Sequence, residues 1–244
     1  MIRTTKMLYG VNSKGLVHLG AHLAEERAKY LSVDWGPRLW VEALPDVYSQ
    51  LKEHLRGFDE DQTLQGVVTA EAGAIVDFYR IAENVSSSTY QLAENGHPFS
   101  SAETVEKLSL ISITLKDVIN YFEAVYGISP DVLVLDIQGG ELDALRGGSS
   151  ILSKFDCIIS EISYREIYKG APLAAELINF LNNLGFILVD EFLVSNTGHG
   201  DAVFLKKDQV PVLLPLRRII SQLLHTLSFL RFRITRAIRK RRLV

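Results

Sequence analysis

The chain has 244 residues, 47% of them hydrophobic and 23% charged, with 17 glycines, 7 prolines and one cysteine. That size and composition fit one large domain with an appendage, and exclude collagen, low-complexity disorder and a disulfide scaffold. The net charge of −3 conceals a split: residues 211–244 hold nine of the 26 Lys and Arg and none of the 29 Asp and Glu, which leaves seventeen bases against 29 acids, a charge of −12, in residues 1–210.

In chain order, Leu16–Leu19 after Gly15 reads as a buried strand, and Leu23–Leu31 as a helix with Glu25 and Glu26 in its first turn. Arg38–Val41 is a second strand ending in Glu42, and Asp46–Leu55 a second helix with Val47, Leu51 and Leu55 on one face. Thr63–Thr69 and Ala74–Arg80 read as strands, the latter of antiparallel character. Residues 82–109 are polar and irregular; Asn84, Ser86-Ser87-Ser88, Asn95, Gly96 and Pro98 mark turns. Thr114–Tyr126 has helical period, with Thr114 and Asp117 at N-cap spacing. Val132–Asp136 is the most apolar strand, followed by a helix at Leu142–Leu152, a strand at Cys157–Ile162 and a helix at Leu173–Leu184. Phe186–Phe192 and Ala202–Leu205 read as a strand pair around a Ser195–Asp201 loop. Cys157 lies in an apolar run and reads as a buried thiol. No uncharged apolar window reaches about 18 residues, and the N-terminus lacks the pattern of a secretory signal, so the expected location is cytoplasmic.

This alternation predicts an α/β fold: a doubly wound, mainly parallel sheet with helices on both faces. Ligands in such sheets bind beyond the C-terminal strand ends, near the point where strand order reverses. The loops at Gly20, Glu42, Thr69, Asp136 and Glu161 are therefore the candidate site.

Gly20, in Val17-His18-Leu19-Gly20-Ala21-His22, lets a ligand approach the backbone, but the segment is not a dinucleotide loop. Glu42 follows 22 residues later, where an acid can accept two ribose hydroxyl protons. Asp136 ends an apolar strand and precedes Ile137-Gln138-Gly139-Gly140-Glu141; Glu141 reads equally as a helix N-terminal acid or a functional one. Glu161 ends another strand, and His199 stands between Gly198 and Gly200 in a loop.

Taken in order, His18-Leu19-Gly20-Ala21-His22, Leu39-Trp40-Val41-Glu42-Ala43, Ser86-Ser87-Ser88, Leu135–Glu141 with Leu145, Gly147 and Gly148, then Glu161, Tyr168-Lys169-Gly170 and Gly200-Asp201-Ala202 resemble the FkbM-type S-adenosylmethionine-dependent methyltransferases over roughly residues 15–207. His18 and His22 stand where the commoner family loop has Asp and Asn. The resemblance implies a Rossmann-like methyltransferase fold and methyl transfer from S-adenosylmethionine to a hydroxyl on a sugar, glycan or natural-product acceptor. It implies cofactor contacts by Gly20, Ala21, His22, Glu42, Ala43, Ser88, Asp136 and Gln138, and catalysis by Asp136, Glu161 and His199. If Asp136 and Glu161 share a cavity, their like charges either raise one pKa or recruit a divalent cation such as magnesium; no metal ligand set is assigned. The rival readings are a metal-assisted enzyme acting on nitrogen and a non-catalytic cofactor-binding scaffold.

The methyltransferase domain is expected at 1–210 and a basic amphipathic helix at 211–244. Leu216, Ile220, Leu223, Leu227, Leu230, Ile234 and Ile238 form one narrow stripe, away from Arg218, Arg233, Arg236, Arg239 and Lys240. Such a helix over 216–242 docks on the acidic body, lies on a membrane surface or joins copies of the chain. Nucleic acid is not an expected partner, because the acidic body repels phosphates.

Overall fold

A computed structural model describes residues 1–82, 86–94, 104–194, 197–224 and 226. The main sheet has seven strands in the order β3 (Asp61–Gln65), β2 (Arg38–Glu42), β1 (Leu16–Leu19), β7 (Val132–Leu135), β8 (Cys157–Ser163), β10 (His199–Lys206) and β9 (Phe186–Leu193). The first five run parallel, and β10 pairs antiparallel with both β8 and β9. Strand order reverses between β1 and β7, so the crevice for a ligand opens above those two strands.

Alternation along the strands builds two cores. Val17, Leu19, Leu133, Leu135 and Phe204 face α4 (Leu115–Tyr126), α5 (Glu141–Gly147) and α6 (Ala174–Asn183). Leu16, Val132, Val134, Cys157 and Val203 face α1 (Ile2–Tyr9) and α2 (Arg27–Leu31), with Trp35, Trp40 and Leu51 of α3 (Pro45–His54). Helices thus cover both faces, as the period predicts. Burial drives the Cys157 thiol pKa up, which keeps it neutral.

Arg38 on β2 is 2% exposed and pairs with Asp61 on β3 at 2.6 Å. Arg27 and the Trp40 indole donate to the same carboxylate at 2.8 and 2.9 Å. Burial alone would raise the Asp61 pKa, but these donors outweigh it and hold the group below its ordinary value.

Several expected boundaries move. The strand expected at Thr63–Thr69 breaks at Gly66 into β3 and β4 (Val67–Thr69), which enter different sheets. The loop after Thr69 therefore does not stand on the main sheet's ligand edge. β4 pairs parallel with β6 (Thr104–Thr114), and β6 pairs antiparallel with β5 (Ile75–Ile81), forming a small second sheet. β6 begins inside the 82–109 stretch expected to be irregular and runs on to Thr114. Its outer half is mostly exposed on both faces, so no inside-outside hydrophobic alternation marks it as a strand. Asn84, Asn95, Gly96 and Pro98 lie outside the described residues. α1, unmarked in the sequence reading, packs through Ile2, Thr5 and Tyr9. The helix expected at Leu142–Leu152 is α5 followed by a 3₁₀ helix at Ser149–Lys154. The capping box of Thr114 and Asp117 is formed as the spacing predicts.

The first turns of the tail form a helix over 214–224. Arg218 donates to the carbonyls of Leu188 and Val189, Arg217 to that of Leu8, and Ser221 to Asp190. Leu227, Leu230, Ile234, Ile238 and the bases of 231–242 lie outside the described residues.

Candidate active site

The strand register assembles a row of polar positions at the C-terminal edge of the sheet. Leu19 pairs with Val41 and with Leu135, so the next residues, Gly20, Glu42 and Asp136, lie level. Leu135 pairs with Ser160, which sets Glu161 beside Asp136, and Asp201 is the partner of Glu161 on β10. Four carboxylates and one glycine thus share a single row across five adjacent strands.

Two cavities open among its loops, and a third, lined by Asp136 and Asp201 with Glu26, Lys29 and Tyr30, also borders it. The first is lined by Gly20, His22, Glu42, Ala43, Phe78 and Asp136, among others. Gly20 has φ +82°, and a Cβ there would lie 1.8 Å from the carbonyl oxygen of Asp136. Only glycine permits this crossing of the loops after β1 and β7. Gly20 and Ala21 both donate to the carbonyl of Val41 at 3.0 Å. Ala21 is buried and serves the turn; its side chain is not part of the cavity wall.

Glu42 accepts from the His22 amide at 2.9 Å through Oε2 and from the Leu44 amide at 2.9 Å through Oε1. Each oxygen keeps a second acceptor site. Burial raises the Glu42 pKa, and the amides of Leu44 and His22 oppose that rise. The helix expected from Leu23 starts only at Arg27. Glu25 takes the Leu23 amide at 3.2 Å and the His22 ring at 2.6 Å, and Ala24 has φ +60°. The local side-chain bonds hold residues 22–26 in a turn instead.

The second cavity is lined by Gln138, Glu161, Tyr168 and His199, with Ile162, Leu173 and Leu177 on its apolar side. Gln138 joins the two cavities. It sits at φ +59°, and its Nε2 donates to Asp136 at 2.6 Å and to Glu161 at 2.9 Å. Its Oε1 accepts from the Tyr168 hydroxyl at 2.8 Å. The three serines divide their work. Ser86 lines the second cavity and Ser87 the first, whereas Ser88 stands behind the wall and donates to the Gln138 carbonyl at 2.7 Å.

Glu141 has two oxygens that accept the Ile137 and Gly139 amides, each at 2.9 Å, and tie the turn between β7 and α5, and it also lines the second cavity. Burial pushes its pKa to about 7. His199 lies on β10 opposite Ser163, not in a loop, and reaches the second cavity from there. Flanking glycines suggested a loop, but the ladder to β8 continues through Gly200.

Asp136 opens to solvent inside the cavity yet is enclosed by protein, and this desolvation, with the Asp201 charge, pushes its pKa up to about 6 against the Gln138 donor. Burial, then the charges of Asp136, Glu141 and Asp201, lift Glu161 well above the carboxylate range. Burial raises Asp201 as well, and the N-terminal ammonium and Lys29 counteract it. Like charges in one row thus favour retained protons. Among the described residues, no group of three or more His, Cys, Asp or Glu is arranged to hold a metal ion. His18, in the loop's variant position, is buried against Trp40 and bonded to the Tyr30 hydroxyl at 3.0 Å; burial lowers its pKa to about 4.

The family model of the methyltransferase FkbM domain matches residues 18–188, more than half of the chain and the whole stretch from β1 into β9 that carries this row, apart from β10. The chain belongs to the FkbM methyltransferase family. It is accordingly an S-adenosylmethionine-dependent methyltransferase. No curated protein matches the sequence. Among solved structures, a TehB-like S-adenosylmethionine-dependent methyltransferase from Corynebacterium glutamicum aligns over 84% of this chain and 86% of its own, at 12% identity and TM-score 0.43. A putative tRNA (m1A22) methyltransferase from Streptococcus pneumoniae, in complex with S-adenosyl-L-methionine, aligns over 84% and 72%, at 14% identity and TM-score 0.44. A glycopeptide N-methyltransferase complexed with S-adenosyl-L-homocysteine aligns over 84% and 88%, at 9% identity and TM-score 0.44. Likeness at this level says nothing of the acceptor.

The first cavity of this FkbM methyltransferase suits its cofactor by donor set. Glu42 offers two acceptor oxygens for a ribose diol, and Val67 and Phe78 offer apolar surface for a planar base. Asp136 offers negative charge to a sulfonium and ammonium. The sequence reading missed Phe78, Ser87 and Tyr168 as site residues. The first two come from segments whose approach to the sheet edge depends on the small sheet, and Tyr168 was flagged only as part of a motif.

Proposed function

We propose that this methyltransferase acts on a hydroxyl oxygen of a small-molecule or glycan acceptor held in the second cavity. The observation that carries the reading is the place of Glu161: it lines that cavity and shares the Gln138 amide with Asp136, which borders the first. A neutral alcohol must lose its proton as its oxygen is methylated, and a carboxylate of raised pKa is the stronger base for that transfer. S-adenosylmethionine, when bound, supplies an electrophilic methyl group. Glu161 in its ionised form takes up the hydroxyl proton, so turnover needs a pH at which it has lost its own; His199 orients the acceptor from β10, and Tyr168 fixes the Gln138 amide that spaces the two acids. Glu42 and His22 hold the cofactor side, and the Gly20 turn allows close approach. Ile162, Leu173 and Leu177 favour an acceptor with one apolar face, such as a sugar ring or polycyclic scaffold.

The test offers methyl-labelled cofactor with matched alcohols, glycosides and amines, and locates the label by mass spectrometry and NMR. Label on oxygen is expected. Transfer confined to nitrogen overturns the hydroxyl reading, and failure to bind the cofactor in calorimetry overturns the enzyme reading itself.

A further inference from the structure

The helix over 214–224 holds the protein mainly by polar groups, with Leu214 packed against the core at its start. Arg217 and Arg218 donate to backbone carbonyls of Leu8, Leu188 and Val189, and the buried Ser221 hydroxyl donates to Asp190, which also accepts from Tyr9 at 2.9 Å. These residues recur at three- and four-residue steps and so share one face. The other face is apolar, and among the described residues nothing covers it: Leu216, Ile219, Ile220, Leu223 and Leu224 are each 37–59% exposed. A helix on a globular surface ordinarily has the reverse arrangement. Met7, next to the Leu8 carbonyl that Arg217 holds, is exposed too.

The sequence that follows supplies the charge. Residues 225–244 contain Arg231, Arg233, Arg236, Arg239, Lys240, Arg241 and Arg242 and no acid, with Phe229 and Phe232 among them. We propose that the outward face of the 214–224 helix, with this polybasic sequence, docks the protein on an anionic lipid surface. Lipid accepts the exposed leucines and isoleucines while its headgroups neutralise the bases. A symmetric contact between two copies would instead bring two polybasic segments together. The charge of −12 over residues 1–210 is repelled by the same surface, which orients the protein tail first. Among the described residues no helix is long and apolar enough to cross a membrane, so this is contact with the interface.

The test floats the full chain with phosphatidylcholine vesicles, with and without phosphatidylserine, and measures its mass by light scattering without vesicles. The expected result is flotation with phosphatidylserine only, weakened by salt, and lowered about tenfold or more by Leu216→Glu with Leu223→Glu. Melting and cofactor binding of that double variant should match the parent. If it fails to fold, Arg236→Gln with Arg239→Gln gives the same reading through charge and is expected to lower flotation. Absence of flotation with phosphatidylserine overturns the proposal. So does flotation that neither variant changes, or a stable dimer that either variant dissociates.

Discussion

Asp136 and Glu161 are joined by one amide: the Nε2 of Gln138 reaches the first at 2.6 Å and the second at 2.9 Å. That link spans the seam between the first cavity and the second. Gln138 can play this part because its backbone adopts φ +59°, with Ser88 holding its carbonyl and Tyr168 holding its side-chain oxygen.

On the proposed function Gln138 is a positioning residue, and its removal should act through the acids it bridges. Gln138→Leu deletes hydrogen bonds to charged groups, each worth about 1.5–3 kcal/mol, and should lower kcat/KM by about tenfold to a hundredfold. The donor opposes the rise in the Asp136 pKa, so its loss lifts that pKa further above about 6. The acid limb of the kcat/KM–pH profile should move to higher pH. A lower plateau with an unmoved limb would show that Gln138 only supports the local fold.

Glu42→Ala should weaken cofactor binding by about 1–3 kcal/mol, the cost of losing a charged hydrogen-bond acceptor. The measurement is calorimetric titration of the full chain with S-adenosylmethionine. Because Glu42 also takes the amides of His22 and Leu44, Glu42→Gln serves as a control that keeps an acceptor in place. An unchanged dissociation constant in Glu42→Ala, with the fold intact, would remove Glu42 from the ribose role.

The row was legible in the sequence because the central parallel strands are short, mostly apolar runs that stop at a glycine or an acid: Leu19 before Gly20, Val41 before Glu42, Leu135 before Asp136. Register then does the rest, since Leu16, Arg38, Val132 and Cys157 start level and the parallel ladder keeps the following residues level. Less legible was whatever depends on contact between distant segments. β6 lacks a buried face along its outer half, so no inside-outside alternation betrays it. Ser88 and Ser87 are neighbours of one chemical type, and only the pairing of Ser88 with Tyr79 decides which faces the cavity. Glycines around His199 argued for a loop, and the β8 ladder overruled them.

The raised acids make a prediction about stability. Asp136, Glu161 and Asp201 have folded pKa values above their ordinary ones, so the folded chain binds more protons than the unfolded chain between those values. Their contribution is present below the unfolded pKa and is lost as pH rises through the folded pKa, about 6 for Asp136. Asp136→Asn should therefore raise the melting temperature of the cofactor-free protein at pH 8 more than at pH 5, while abolishing turnover. Scanning calorimetry at both pH values checks the first part. An equal change in Tm at both would mean that the Asp136 charge carries no folding cost.

Asp61 tests the opposite situation, a buried acid whose charge is fully used. Its carboxylate accepts from Arg38, Arg27 and Trp40, and Arg38 is almost wholly buried with it. Asp61→Ala leaves the Arg38 guanidinium without its main counter-charge and should cost about 3–5 kcal/mol, read from urea unfolding. Asp61→Asn keeps acceptors for some donors and should cost less. Asp61 holds β3 to β2, and β2 carries Glu42 at its end, so the loss should also loosen the ribose side of the cavity and raise KM for S-adenosylmethionine. A full loss of stability with unchanged KM would separate the edge of the sheet from the site it supports.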